Sequence, residues 1–472
     1  MLTRVEIDGF KSLQDFAIDL EPFTVLIGPN SAGKSNVLEA LALLSRLAYM
    51  PIAEAFKHGR GRSSDQFTRV GAEGAAVTKI RFAVEFLVYG EYRRGAAAAT
   101  PAEQSRFRYE LTIERAVLPS GAEQLVASEE RLTAIRREDD RWIESHPEFA
   151  SLASHAHGGT IYVTAERRSP SGERRIVGPG HVPEKIRIPP SHTILSQLDS
   201  LPLMNLREKL ELLRILRLDP TRLGEPSDPL DSGELAEDGS NLPTVLAGLP
   251  PAVVGAIRAD LVALVPGVAS FEVVRDGDEL FIDFELAGGE RMPARLVSDG
   301  TLRILLLLTA LRLEPRPAFI GIEEPENGIY PGRLRMLLEH LRAETTRRYD
   351  DPEALAQLAA ELESSGARGI SRDLLPTQIV VTSHSPVIVA ALRKQPQHLR
   401  FIDVVRRDGH RPVLKRILQD GGARLGSRSI YEFFGARVRL ANLRALSSFR
   451  AFEAELTTAV REFVAAQGYR SG

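Results

Sequence analysis

The chain has 472 residues, a formal net charge of −3 and no cysteine. That length predicts one large domain with insertions or two to three units, and 43% apolar residues suffice for a sizeable core. The missing cysteine excludes disulfides, thiolate zinc sites and thiol catalysis.

In chain order, Arg4 to Ile7 and Phe16 to Leu20 read as short strands, and the apolar run Phe23 to Ile27 as a buried one. Directly after it, Gly28-Pro29-Asn30-Ser31-Ala32-Gly33-Lys34-Ser35 matches the phosphate-binding pattern G-x-x-x-x-G-K-[ST]. Asn36 to Leu47 follows, apolar at helical spacing, so the motif has the strand–loop–helix context it needs. Glycines let the backbone aim N–H groups at phosphate oxygens, and the helix N-terminus adds partial positive charge. Lys34 would neutralise β- and γ-phosphates and Ser35 would ligate Mg²⁺, with Asn30, Ser31, Ala32, Gly33 and Asn36 completing the cradle.

Ile80 to Tyr89 and Arg106 to Arg115 read as strands; from Val117 to Gly289 the periodic signal weakens. Residues 164–191, dense in Pro, Gly and Arg, read as a long loop, and Leu203 to Leu218 as one amphipathic helix. Asp228 to Ser240 is an acidic loop, and Asp276-Gly277-Asp278 marks a hairpin between Phe271–Val274 and Leu280–Leu286. His155-Ala156-His157 is a tight histidine pair with no acid near it in sequence, a poor metal candidate.

Three further clusters carry chemistry. Ser298-Asp299-Gly300-Thr301 precedes the apolar helix Leu302 to Leu311, giving either a second anion site of backbone N–H groups or an ordinary N-cap. Phe319 to Ile322 is a strand running into Glu323-Glu324-Pro325-Glu326. In P-loop enzymes the first such acid supports Mg²⁺ and the next positions the attacking water, which fits Glu323 and Glu324. Ile379 to Thr382 is a strand ending in Ser383-His384-Ser385-Pro386, with Pro386 opening a helix. His384 would reach a γ-phosphate or the attacking water; its bland alternative is a hydrogen-bonded histidine in a turn. Residues 391–450 hold fourteen Lys/Arg against four Asp/Glu, so this segment carries +10 and the remainder −13. It would meet nucleic acid or pair with the acidic remainder.

Together the clusters resemble the ATPase heads of the ABC superfamily, in the branch of SMC, RecF-like and OLD-like proteins. Ile7 to Leu13 resembles that branch's opening strand, Ile27 to Asn36 its Walker A, and Ser298 to Thr301 its signature. Ile322 to Pro325 resembles its Walker B and His384 its switch histidine. The Glu-Glu-Pro-Glu-Asn-Gly form followed by Tyr330-Pro331 is most like OLD-type and related "AAA" ATPases of defence and toxin–antitoxin modules. Two features depart from the pattern: Glu323 stands where most heads have Asp, and no γ-phosphate-sensing glutamine is obvious, Gln66 and Gln197 being the candidates. The resemblance implies ATP and Mg²⁺ as ligands, Glu324 and His384 as catalytic groups, and Ser35 and Glu323 at the metal. It also implies a homodimer in which Ser298, Asp299, Gly300 and Thr301 of one copy face the P-loop of the other.

The expected fold is α/β, an ABC-type P-loop head with a mixed sheet, an inserted α+β lobe and a C-terminal helical segment. Residues 1–116 would form the first half-head, 117–290 the inserted lobe, and 291–400 the second half-head with a helical insertion at 333–373. Residues 401–472 would form a basic segment whose Leu440 to Tyr469 is helical. Sustained heptads are missing, which excludes a long SMC-type coiled coil, and the sparse acids after His384 do not resemble a TOPRIM nuclease. Met1 to Glu6 has no signal-peptide core and Leu302 to Leu311 is too short to span a bilayer, so the cytoplasm is expected and no membrane partner. Three functions compete: a switch for a separate nuclease or toxin effector encoded nearby, a RecF-like ATPase that clamps DNA, and a detached transporter ATPase. The long insertion and the opening strand with Lys11 are unlike the third.

Overall fold

The computed structural model describes residues 1–28, 30, 32–70, 75–88, 91–92, 100–101, 104–117, 120–167, 174–177, 188–346, 377–392, 395–405 and 413–418. Two sheets organise them. The first has six strands in the order 213–217, 319–323, 378–383, 23–27, 399–405, 413–418; all pairs are parallel except the last. The second is antiparallel, in the order 174–177, 161–167, 123–134, 106–117, 79–87, 2–8, 16–19. The expected mixed α/β class is therefore what the chain forms.

Parallel strands are covered on both faces and must be apolar throughout. Phe23–Ile27 is buried at every position, as is Gln378–Ser383. Their side chains alternate between two cores. Leu26, Phe319 and Val380 join the core under the P-loop helix Lys34–Leu47 and the antiparallel sheet. Val25, Ile27, Ile320, Ile322, Ile379 and Val381 join the core that holds helices Pro251–Leu264, Asp299–Ala310 and Pro331–Thr346. Helix Asp299–Ala310 is buried from Gly300 to Ala310, which explains its continuous apolar run. The P-loop helix and the Ser298 helix thus lie on opposite layers of one sheet.

Several sequence expectations change. The Leu203 to Leu218 stretch is not one helix. Helix Leu201–Glu211 ends, and Leu213–Arg217 becomes an edge strand pairing in parallel with Phe319–Glu323. Its Leu-Arg-Ile-Leu-Arg composition suits both states, and the parallel partner decides. Within 164–191, expected as loop, Ile161–Arg167 and Arg174–Val177 include paired strands. The expected boundary at 116/117 falls inside strand Arg106–Val117, and Glu123–Ala134 continues the sheet begun by the N-terminal strand. The 333–373 insertion begins as the single helix Pro331–Thr346; its remainder, the Leu440 to Tyr469 helix and most of the basic 391–450 segment lie outside the described residues.

One polar cluster braces the antiparallel sheet against the turns that flank it. Arg106, fully buried, donates to both carboxylate oxygens of Asp140 at 2.7 and 2.9 Å and to Thr3 Oγ1 at 2.9 Å. His155 Nε2 meets Asp140 Oδ2 at 2.7 Å, so the acid that sequence did not offer this histidine comes from a distant turn. Asp140 also caps helix Arg141–Ser145, whose Trp142 donates its indole N–H to the Leu20 carbonyl at 2.9 Å, just before the P-loop strand. Removing one partner leaves a buried charge unpaired. Asp140→Ala is expected to destabilise the fold by about 3 kcal/mol or more in urea unfolding; an unchanged midpoint would contradict this placement.

Candidate nucleotide site

Strand register brings the motifs together. In the central sheet Glu323 lies opposite Thr382 and Arg217, Thr382 opposite Leu26, and Ser383 opposite Ile27. The three strands therefore end side by side, and the residues after each last apolar position share one edge. Gly28, 324–328 and 384–386 all emerge there.

The loop between strand and P-loop helix turns at Gly33, whose φ of +91° is a left-handed conformation costly for other residues. Lys34 opens the helix, is 4% exposed, and donates from Nζ to the Gly28 carbonyl at 2.9 Å. Burial pulls its ammonium below the usual range, and the Glu324 and Glu326 carboxylates pull it back. Ser35 and Asn36 are half-buried in the first turn, Asn36 Nδ2 donating to Ser12 Oγ at 2.7 Å; Ala32 is buried and Asn30 exposed. Ser31 lies outside the described residues. The loop after the first strand thus braces the P-loop helix, because Lys11 also pairs with Glu39 one turn further on.

The acidic turn is strained and heavily hydrogen-bonded. Glu324 has φ +45°, unusual for a side chain with a β-carbon, and its N–H donates to the Thr382 carbonyl at 3.0 Å. Its carboxylate stands 3.2 Å from His384 Nδ1 and accepts from Asn327 Nδ2 at 3.1 Å. Glu326, not singled out in sequence, is the hub: its Oε1 accepts from Ser383 Oγ at 2.6 Å and from the His384 N–H at 3.1 Å. The doubled acid-proline-acid pattern was the available signal. Ser385 caps helix Pro386–Ala391, which fixes the histidine turn.

Glu323 sits among charges from three elements. Arg217 Nε lies 3.6 Å from its Oε1 and Arg60 Nη2 3.8 Å from its Oε2, and the same two arginines approach Glu39 at 3.5 and 3.3 Å. Burial raises the Glu323 carboxyl above its ordinary value; Arg217 and Arg60 oppose this, while Glu39 and Glu324 add to it. Glu323 Oε1 and Thr382 Oγ1 beside it are buried without a hydrogen-bond partner. Buried oxygens without a hydrogen-bond partner suit a hard, oxygen-seeking cation such as Mg²⁺. Arg217 escaped sequence reasoning because its strand read as helix.

Ser298 caps its helix through Thr301, the two hydroxyls 2.9 Å apart, so the N-cap reading holds; Ser298 and Asp299 remain exposed while Gly300 and Thr301 are buried. A β-carbon on Gly300 would stand 2.4 Å from the Gly328 carbonyl, so this helix start is seated on the turn after Glu323 and Glu324. The glutamine candidates fall away from phosphate chemistry. Gln66 is 1% exposed and its amide donates to the Phe56 carbonyl. Gln197 is exposed in a segment tied to the far end of the P-loop helix, where Thr193 Oγ1 donates to the Leu47 carbonyl. Among the described residues no group of three or more His, Cys, Asp or Glu is placed to hold a metal, and no helix is long and apolar enough to cross a membrane.

A P-loop, a strand ending in paired acids, a histidine turn and a serine-capped apolar helix on one mixed sheet fit an ATPase head of the ABC superfamily. Residues 23–390 match the family described as "AAA domain, putative AbiEii toxin, Type IV TA system", and the chain belongs to it. Shorter similarities place it in the SMC, RecF and OLD branch. It is 30% identical over 116 residues to structural maintenance of chromosomes protein 1 of Schizosaccharomyces pombe, covering 23% of this chain and 9% of that protein. It is 40% identical over 78 residues to the DNA replication and repair protein RecF of Vibrio campbellii, covering 14% and 22%. It is 41% identical over 44 residues to the OLD nuclease of Thermus scotoductus, covering 9% and 8%. The chain thus spans less than a quarter of each of these relatives. Among solved structures, an SMC head bound to the C-terminal winged-helix domain of ScpA aligns with TM-score 0.45 and 15% identity, over 89% of this chain and 98% of that one.

The Gly300 contact yields a structural prediction. Gly300→Ala must push the helix start off the Gly328 turn and is expected to cost about 1–3 kcal/mol of stability, read by thermal unfolding; an unchanged melting temperature would contradict the contact.

Proposed function

We propose that the protein binds and hydrolyses ATP between two copies of itself, and that this cycle switches a separate effector, a nuclease or toxin, in cytoplasmic bacterial antiphage defence. One observation carries the reading. Lys34, Glu323, Glu324 and His384 gather at one sheet edge, while the exposed Ser298–Asp299 start belongs to a helix on the opposite layer. A site with its P-loop on one layer and its signature on the other is completed most simply by a second copy.

In this reading Asn30, Ser31, Ala32, Gly33 and Asn36 cradle the phosphates with Lys34, whose buried ammonium offsets their charge. Ser35 and Glu323 would hold Mg²⁺, which neutralises charge on the β- and γ-phosphates when bound. Glu324 orients the attacking water, held by its strained backbone and by Asn327. His384, 3.2 Å from Glu324, would sense the γ-phosphate. Ser298, Asp299, Gly300 and Thr301 of the second copy close the site, and loss of the γ-phosphate releases them. The family's description, which names a toxin and a toxin–antitoxin system, supports the effector part.

A RecF-like ATPase that clamps DNA directly is the second reading, favoured by the RecF similarity and the +10 segment at 391–450. DNA-stimulated turnover that falls steeply between 50 and 200 mM salt, roughly the range over which phosphate contacts are lost, would favour it. Independence from DNA, with Lys34-dependent toxicity on co-expression with a neighbouring gene product, would favour the switch.

Glu324→Gln is expected to bind ATP without releasing it and to accumulate as a dimer in light scattering with ATP and Mg²⁺. A mutant that stays monomeric at saturating nucleotide overturns the sandwich. Lys34→Ala is expected to lose ATP binding by at least about tenfold in equilibrium titration; unaltered affinity would remove the P-loop from the site.

A further inference from the structure

Two buried side-chain atoms beside the acidic turn are left without a hydrogen-bond partner. Arg303, in the second turn of the signature helix, is 7% exposed and its Nε has no hydrogen-bond acceptor. Glu326 uses Oε1 for Ser383 and His384, but its Oε2 is buried and unpartnered. Leaving such atoms unpaired is costly, so a buried donor and a buried acceptor of opposite charge in adjoining segments favour a movement that pairs them. Their segments adjoin: the β-carbon position of Gly328, two residues beyond Glu326, is 3.9 Å from Arg303 Nε. Burial draws the Arg303 guanidinium down, and Asp299, Asp219, Glu326 and Glu324 oppose that, which places both turn acids within its field.

We propose that Arg303 and Glu326 form a switched ion pair that ties the signature helix to the switch histidine of its own chain. The proposal rests on the ATPase reading above. When Ser298 engages a phosphate on the partner, the helix start presses on the turn through the Gly300–Gly328 contact. Arg303 then takes up Glu326 Oε2. Glu326, with its second oxygen now also hydrogen-bonded, fixes Ser383 Oγ and the His384 N–H, and His384 is set against Glu324. Neither residue touches substrate; both are positioning residues, and together they report an engaged signature to the hydrolytic centre of the same copy.

A mutant cycle on the full chain tests this. Arg303→Gln, Glu326→Gln and their double variant are compared for kcat, KM, affinity for a fluorescent ATP analogue, and thermal unfolding. Each single variant is expected to lose about tenfold in kcat with KM and analogue affinity within about twofold, and the double variant to lose no more than the worse single one. Arg303→Lys, which keeps the charge, is expected to recover part of the loss. If the glutamine variants unfold early, Arg303→Lys and Glu326→Asp carry the same cycle. Losses that multiply in the double variant, a kcat that does not change, or a fall in affinity that accounts for the effect would each overturn the pair. A parent chain that binds but does not turn over ATP removes the ATPase reading and this proposal with it, whereas an active parent with multiplying losses removes the proposal alone.

Discussion

The parallel register of the central sheet is the constraint on which the site depends. Because 23–27, 319–323 and 378–383 run the same way and end level, three segments far apart in sequence leave the core at one edge. Parallel strands buried on both faces admit no charge along their length, so charge appears at their ends. Lys34, Glu323, Glu324, Glu326 and His384 are where they are because each follows the last apolar residue of its strand. A one-residue slip of the 319–323 strand would exchange its two faces and turn Glu323 from the edge into the core.

Buried charge follows from the same geometry. Lys34 and Glu323 are both desolvated, and each is disfavoured in its charged form by burial. What keeps them usable is a ring of opposite charges at loose distances: Arg217 and Arg60 reach Glu323 at 3.6 and 3.8 Å while also serving Glu39. A tight bidentate pair would commit Glu323 to arginine; longer contacts leave Oε1 available. Strain is concentrated at the same place, in the left-handed backbone of Glu324. Stable anchoring is supplied elsewhere, by the fully made Arg106–Asp140–His155 cluster under the antiparallel sheet.

Much of this was legible in the chain. The P-loop, the acid-ended strand and the Ser-His-Ser-Pro turn all sit where local pattern put them, because apolar runs with a glycine or acid at the end carry their meaning locally. The Gly277 hairpin was readable for the same reason. The strand at 213–217 was not: Leu-Arg-Ile-Leu-Arg continues the periodicity of the helix before it, and only pairing with 319–323 makes it a strand. Arg217 was lost with it. The partner of His155 and the roles of Glu326 and Arg303 depend on contacts across large sequence separations, which no local pattern encodes. Gln66 and Gln197 were chosen by residue type, and type alone does not tell a buried structural amide from one aimed at phosphate.

A chain free of native cysteine permits a direct measurement of the trans arrangement. Two preparations in a Glu324→Gln background, one bearing Ser298→Cys and the other Asn30→Cys, are mixed with ATP and Mg²⁺ and treated with a short thiol cross-linker; both positions are exposed. Cross-linked pairs containing one chain of each kind, formed only with nucleotide, are the predicted result. If the mixture yields none, while a single chain carrying both cysteines cross-links to itself, then signature and P-loop meet within one copy and a nucleotide shared between two copies is contradicted.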